Sequence, residues 1–240
     1  MIVLMRVIAG LFLLGLWHIA SAEVVIWQAT GTLTVVDTTD GLITEFPSAE
    51  IDSAFALTFA FETSSPVSTI NTESDFGGGV WLGDRYRYFD ALVMVELSIG
   101  DADLSRTAEG TEFIDIWDNF ASVGTSSESC VDTATIVCDG FVMAQGLASS
   151  QEGGFAQIAL TIRGPEHLDL FSGPGLPTTP PPLLTTLSTR SFQFCDSASS
   201  AGDCIIGTVD NMTVVAEDNC SDCSSSNLLK LILQLRKEDR

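Results

Sequence analysis

The sequence predicts an all-β protein: a jelly-roll-like antiparallel sandwich of about eight strands, with a signal peptide in front and a short helix or tail behind. Three observations predict it. Apolar residues recur at every second position in run after run, and glycine-rich turns separate the runs. No mature segment before residue 227 shows a sustained 3.6-residue apolar period. Two sheets that bury alternate side chains against each other satisfy all three.

Residues 1–22 carry one charge, Arg6, then an apolar run from Val7 to Ile19 and the small residues Ala20, Ser21 and Ala22. These are the parts of a secretory signal peptide, so the mature chain is expected to begin at Glu23. The run is shorter than the about 20 apolar residues that a membrane span needs.

From Val24 to Val36, the side chains of Val25, Trp27, Ala29, Gly31, Leu33 and Val35 share one face, and Gln28, Thr30, Thr32 and Thr34 the other. One dry face and one wet face make a half-buried strand. Ala54 to Glu62 repeats the pattern, with Phe55, Leu57, Phe59 and Phe61 inward. Tyr88 to Ile99 reads as a third strand, ended by Gly100 and Asp101. Glu112 to Trp117, Phe141 to Gln145, Phe155 to Ile162, Arg190 to Phe194 and Ile205 to Val215 complete the set. Asp37 to Gly41, Gly77 to Gly79, Gly153 with Gly154, and Gly173 to Gly175 supply turn residues between them. The proline-rich stretch Leu176 to Pro182 is followed by only about two strands, too few to stand alone. It is therefore expected to be a surface crossover within one domain spanning 23–218, with 219–240 a Cys/Ser-rich spacer and an apolar-basic tail.

Six cysteines occur in close pairs: Cys130 with Cys138, Cys195 with Cys204, and Cys220 with Cys223. An even number at short spacing in an exported chain reads as disulfides, and local pairing is expected among the connectivities open to it. A bridge that closes a loop of about nine residues contributes about 2.5 kcal/mol, enough to pin a loop. For Cys220 and Cys223, a redox dithiol or half a zinc knuckle is the alternative. Asp218 and Asp222 disfavour the thiolate, and the other cysteines offer no second knuckle.

From Glu23 to Leu229 there are 30 carboxylates, five arginines and no lysine, a net charge of 5 − 30 = −25. Such a field repels nucleic acid and anionic lipid and is tolerable where salt or divalent cations screen it. The expected compartment is extracytoplasmic, secreted or in the cell envelope. The tail's apolar run, Leu228 to Leu235, is about 12 Å long as a helix against a hydrocarbon core of about 30 Å, so no transmembrane span is expected in the mature chain.

The order of pieces resembles that of exported bacterial proteins of the PEP-CTERM type. Gly31 to Asp37 with Gly41 is similar to that group's opening strand and turn, Phe55 to Phe61 before Pro66 to its second strand and loop, and Tyr88 to Ala91 leading to Gly100 to its third. Leu176 to Pro181, then Phe192 to Phe194, then Ile206 to Val209 resemble its closing loop and final hairpin. The resemblance covers roughly residues 27–216 and implies a non-catalytic envelope or matrix protein. The chain departs from the pattern in lacking Pro-Glu-Pro and a spanning helix, so the sorting signal is degenerate or missing.

Chemistry is scarce. The mature chain has one histidine, His167, and no Gly-x-Ser-x-Gly elbow, which argues against triad catalysis and histidine-rich metal sites. A carboxylate-pair hydrolase is a remaining alternative that spacing alone does not identify. No cofactor is expected, with calcium the exception an oxygen-rich surface would accommodate. Asp101 and Asp103 are its candidates, beside Asp37 with Asp40 and Asp115 with Asp118 and Asn119.

Trp81, Arg85, Tyr86, Arg87 and Tyr88 form the most unusual cluster and are the candidate binding residues for calcium-dependent carbohydrate recognition. The competing structural reading puts both tyrosines on one strand face and turns the arginines toward Asp84 and Asp90. The expected role is structural or adhesive, without enzymatic activity, with envelope or matrix components such as polysaccharide as partners.

Overall fold

The computed structural model describes residues 24–39, 43–71, 75–76, 79–107, 112–123, 137–148, 155–165, 170–171, 173–183, 186–187, 189–196 and 203–218. The predicted signal peptide, Asp40, Cys130, His167, Cys220, Cys223 and the tail lie outside these residues.

Twelve strands are present: β1 (Val24–Asp37), β2 (Ala54–Glu62), β3 (Thr69–Asn71), β4 (Asp75–Phe76), β5 (Gly79–Phe89), β6 (Leu92–Ile99), β7 (Ala102–Thr107), β8 (Phe113–Val123), β9 (Val137–Ala148), β10 (Phe155–Pro165), β11 (Thr189–Asp196) and β12 (Cys204–Asp218). No described residue is helical. All twelve strands join one antiparallel sheet in the order β3-β5-β8-β9-β10-β11-β12-β1-β2-β6-β7, with the short β4 paired to β5. The ten long strands curl into a half-barrel. Where the sequence predicts two separate stacked sheets, the hydrogen-bonded ladder is instead continuous through β10, β11, β12 and β1.

Curling brings distant strands together on the inner face. Trp27 of β1 lies 5.2 Å, centroid to centroid, from Phe141 of β9, although β12, β11 and β10 intervene in the ladder. Phe59 of β2 is 6.0 Å from the same ring, and Phe55 of β2 stacks at 4.6 Å on Phe192 of β11. Trp27 also meets Phe61 edge-on at 5.1 Å. Tilted and edge-to-face pairs suit the ring quadrupole and contribute about 0.5–1.5 kcal/mol each beyond burial.

The bend has a visible cause. β1 and β12 are the longest strands, and their pairing shifts register near Ile26, Thr30 and Leu33, bulges that coil a ladder. At Gly31 a Cβ would lie 1.9 Å from the Thr208 carbonyl oxygen, and at Gly207 it would lie 2.6 Å from the Phe55 ring. Only glycine permits the ring of Phe55 to settle against the backbone at this point.

Loops close the curl from both ends. Between β1 and β2, Phe46 is buried edge-on against Phe194 at 5.5 Å, and the Ile43 amide donates to the buried Asp203. Between β10 and β11, the segment carrying Leu176 and Pro181 is a crossover, as predicted, but both residues are buried, and its Thr178 carbonyl accepts a 3.2 Å hydrogen bond from the Trp27 indole.

One predicted strand is two. Between Phe89 and Leu92 the chain turns at Asp90, with φ 62°, a left-handed conformation that aspartate tolerates better than most residues. β5 then pairs with β8 at one end of the sheet and β6 with β2 near the other. β3, β4 and β7 were not expected, and Gly79, read as part of a turn, opens β5. Cys195 and Cys204 are register partners on β11 and β12 and form the expected local disulfide. Cys138 lies on β9.

Candidate functional site

The candidate binding cluster falls on β5, where alternation divides it. Tyr86 and Tyr88 point into the main core with Ile114 and Ile116 of β8, and both are buried. Arg85 and Arg87 point the other way. Trp81 is on β5, and its side chain lies outside the described set.

Both arginines converge on Asp115 of β8. The Arg87 Nε donates to one carboxylate oxygen at 2.7 Å and its Nη2 to the other at 2.8 Å, while the Arg85 Nε donates at 2.9 Å to the second oxygen. The register explains the clamp: Arg87 stands opposite Asp115, and Arg85 opposite Trp117 two residues along the same face. The carboxylate is 1% exposed and the arginine side chains are 20% and 25% exposed, so the guanidiniums roof the acid. A buried carboxylate is stable only when its charge is matched and its lone pairs are occupied, and two forked donors do both.

Aromatic rings extend this ladder. The Arg87 guanidinium lies 3.9 Å from the centroid of Phe113 and 5.7 Å from that of Phe89. Farther along, Arg163 of β10 lies 4.0 Å over the Trp117 ring of β8, although β9 separates the two strands. The residue between them is Gly140, where a Cβ would approach Arg163 Cγ to 3.1 Å, so the missing side chain lets the arginine cross. Three of the five arginines of the acidic body thus collect on the outer face of β5, β8, β9 and β10.

The tyrosines respond to burial. Tyr86 is pushed from its ordinary 10.0 up to about 12, first by desolvation and then by Asp84, whose carboxylate accepts its hydroxyl at 3.0 Å. Tyr88 is also pushed up by burial, and its hydroxyl has no hydrogen-bond partner among the described residues.

The calcium candidates separate in space. Asp101 and Asp103 lie exposed at the tight β6–β7 turn, where Gly100 has φ 58°. Asp115 is occupied by arginine, and Asp118 accepts the Gly173 amide at 2.7 Å. Asp37 accepts the Thr39 hydroxyl at 2.8 Å. No group of three or more metal-type side chains occurs among the described residues. An open depression of about 520 Å³ is lined by Thr30, Gly31, Ala54, Phe55, Ala56, Ser98, Gly100 and Asp210.

Buried and half-buried acids recur as backbone anchors. Asp139 accepts the Leu170 amide at 2.9 Å, and Asp118 and Asp203 hold the loop amides of Gly173 and Ile43. Asp115 and Asp118, calcium candidates by sequence, are structural anchors here, and the partners Phe113, Trp117 and Gly140 carry no sequence signal that marks them. The readable signal is that Arg85, Arg87 and Arg163 are three of only five arginines, with no lysine, between Glu23 and Leu229. Scans against family models, curated proteins and solved structures returned no match for this chain.

Proposed function

We propose that this chain is an exported, non-catalytic component of a bacterial envelope or extracellular matrix, with a structural or adhesive role, of the PEP-CTERM type but with its sorting signal degenerate. The two halves of the curled sheet act as the layers of a jelly-roll-like sandwich. The observation that carries this reading is where the charged groups go. Asp115 is bound by two arginines, and Asp118, Asp139 and Asp203 by the protein's own loop amides. Side chains that a catalyst would hold ready for substrate hold this fold together instead, and exposed acids such as Glu50, Asp52, Asp101 and Asp210 give the surface its charge. The Cys195–Cys204 bridge suits an oxidising compartment.

Expression of the full chain in a bacterial host, followed by fractionation and amino-terminal sequencing, tests the proposal. Recovery outside the cytoplasm with Glu23 at the amino terminus is expected; a cytoplasmic protein retaining Met1 and free thiols contradicts it.

Calcium-dependent carbohydrate binding is the second reading, and one observation favours it: the open depression reaches Gly100, next in the chain to the exposed Asp101 and close to Asp103. Calorimetry with acidic and neutral polysaccharides, with and without chelator, should then show heat that chelator and Asp101→Ala abolish. No heat in any condition removes this reading.

A further inference from the structure

The outward face of β5 carries Arg85, Arg87 and Phe89 at alternate positions. A guanidinium has five N–H donors. Arg85 directs two of them at Asp115, through Nε and Nη2, and Arg87 does the same. Three donors remain on each arginine, and among the described residues no other acceptor takes them. Asp115 already accepts four hydrogen bonds, which fills its lone pairs. One buried anion beneath two cations leaves a local charge of 2 − 1 = +1 on a chain of net charge −22. Both guanidiniums still reach solvent, and Asp115 fixes their orientation. Phe89 ends the row. It is the only exposed aromatic ring among the described residues, and the Arg87 guanidinium lies beside it.

We infer that Arg85, Arg87 and Phe89 form a calcium-independent binding strip for a carboxylated glycan, with a uronate carboxylate received by the outward guanidinium donors and its sugar ring resting on Phe89. Two observations select this ligand class. Asp90, exposed next to Phe89, and the acids of the remaining surface repel a dense polyanion, so nucleic acid and heavily sulfated chains are disfavoured and a sparsely charged glycan is not. An exposed flat ring beside the cations suits the C–H face of a pyranose, whereas an acidic peptide needs the cations alone. The inference rests on the adhesive reading above for its source of glycan. The strip itself is near the opposite end of the strand order from the turn that carries Asp101 and Asp103.

Calorimetry of the mature exported protein with a glucuronoxylan oligosaccharide bearing one uronate, in the presence of chelator, tests the inference. Saturable heat is expected, and none with the same oligosaccharide after its carboxyl is reduced to the alcohol. Arg85→Gln should weaken binding about tenfold or more, with Arg87 still forked onto Asp115 to keep the strands paired. Phe89→Ala, at an exposed position, should weaken it about threefold or more. Circular dichroism checks that each variant is folded. No heat in chelator, equal heat with the reduced oligosaccharide, or unchanged affinity in the folded variants overturns the inference, and so does tighter binding of a polyglutamate peptide than of the oligosaccharide. Any of these results from a protein that still begins at Glu23 sinks the strip and leaves the envelope reading in place.

Discussion

The two wings of the curled sheet share one inner core and differ on their outer faces. β1, β2 and β6 present Val24, Ile26, Ala60 and Met94 outward, whereas β5, β8 and β10 present Arg85, Arg87, Asp115, Trp117 and Arg163. Inside, both supply rings to a single aromatic centre, where Trp27 and Phe59 of one wing meet Phe141 of the other. The fold is therefore set by the inner face, and the outer faces are free to diverge. One wing carries a small apolar cluster beside Gln28, Thr58 and Glu96, and the other a charge-matched ladder.

The sharpest way to break the shared centre is at the bend. Gly31→Val should prevent folding or cost more than about 4 kcal/mol, because even a Cβ would overlap the Thr208 carbonyl. Thermal unfolding by circular dichroism checks this, and Thr30→Val one residue away serves as a control for strand propensity.

Trp27→Ala follows, with a loss of about 3–5 kcal/mol. The side chain is fully buried, touches Phe59, Phe61 and Phe141, and donates to the crossover at Thr178. Removing the Cys195–Cys204 bridge by double serine substitution should cost about 2.5 kcal/mol in denaturant unfolding, since it closes a loop of sequence separation 9.

The outer ladder should respond more weakly. Asp115→Ala leaves two partly exposed guanidiniums without their anion and should cost about 2 kcal/mol; because the arginines are partly solvated, this is less than breaking a fully buried pair. Arg85→Ala combined with Asp115→Ala should then cost less than the sum of the single changes.

The smallest effect at neutral pH is the tyrosine titration. Tyr86 in the fold has its pKa raised to about 12 from 10.0, so the unfolded chain gives up that proton first. The resulting stability is complete below pH 10 and is lost as pH rises toward 12. Unfolding midpoints should fall across that window, and phenolate absorbance of the folded protein should lag that of the unfolded protein.

The contrast between wings also explains what the sequence made readable. Trp27, Ala29, Gly31 and Leu33 alternate with Gln28, Thr30, Thr32 and Thr34, and Phe55, Leu57 and Phe59 with Ala56 and Thr58, so β1 and β2 stand out by period alone. β5 alternates only over Arg85 to Tyr88, and what its arginines meet was hidden because Asp115 lies 28 residues beyond Arg87 in the chain. Phe89, Asp90 and Ala91 contain neither glycine nor proline, so the reversal at Asp90 was hidden and β5 and β6 merged into one reading. β7 is short and polar. Cys195 with Cys204 was legible because hairpin partners are close in sequence. That one sheet replaces two was not legible, since alternation says which side of a strand is dry and not which strand lies beside it.

The central claim is that one continuous sheet curls until β2 faces β9. Through-space proton contacts in the nuclear magnetic resonance spectrum between the rings of Phe141 and those of Trp27 and Phe59 test it most directly. The account predicts both sets of contacts. A spectrum in which Phe141 contacts only residues of β8, β10 and its own strand would contradict it.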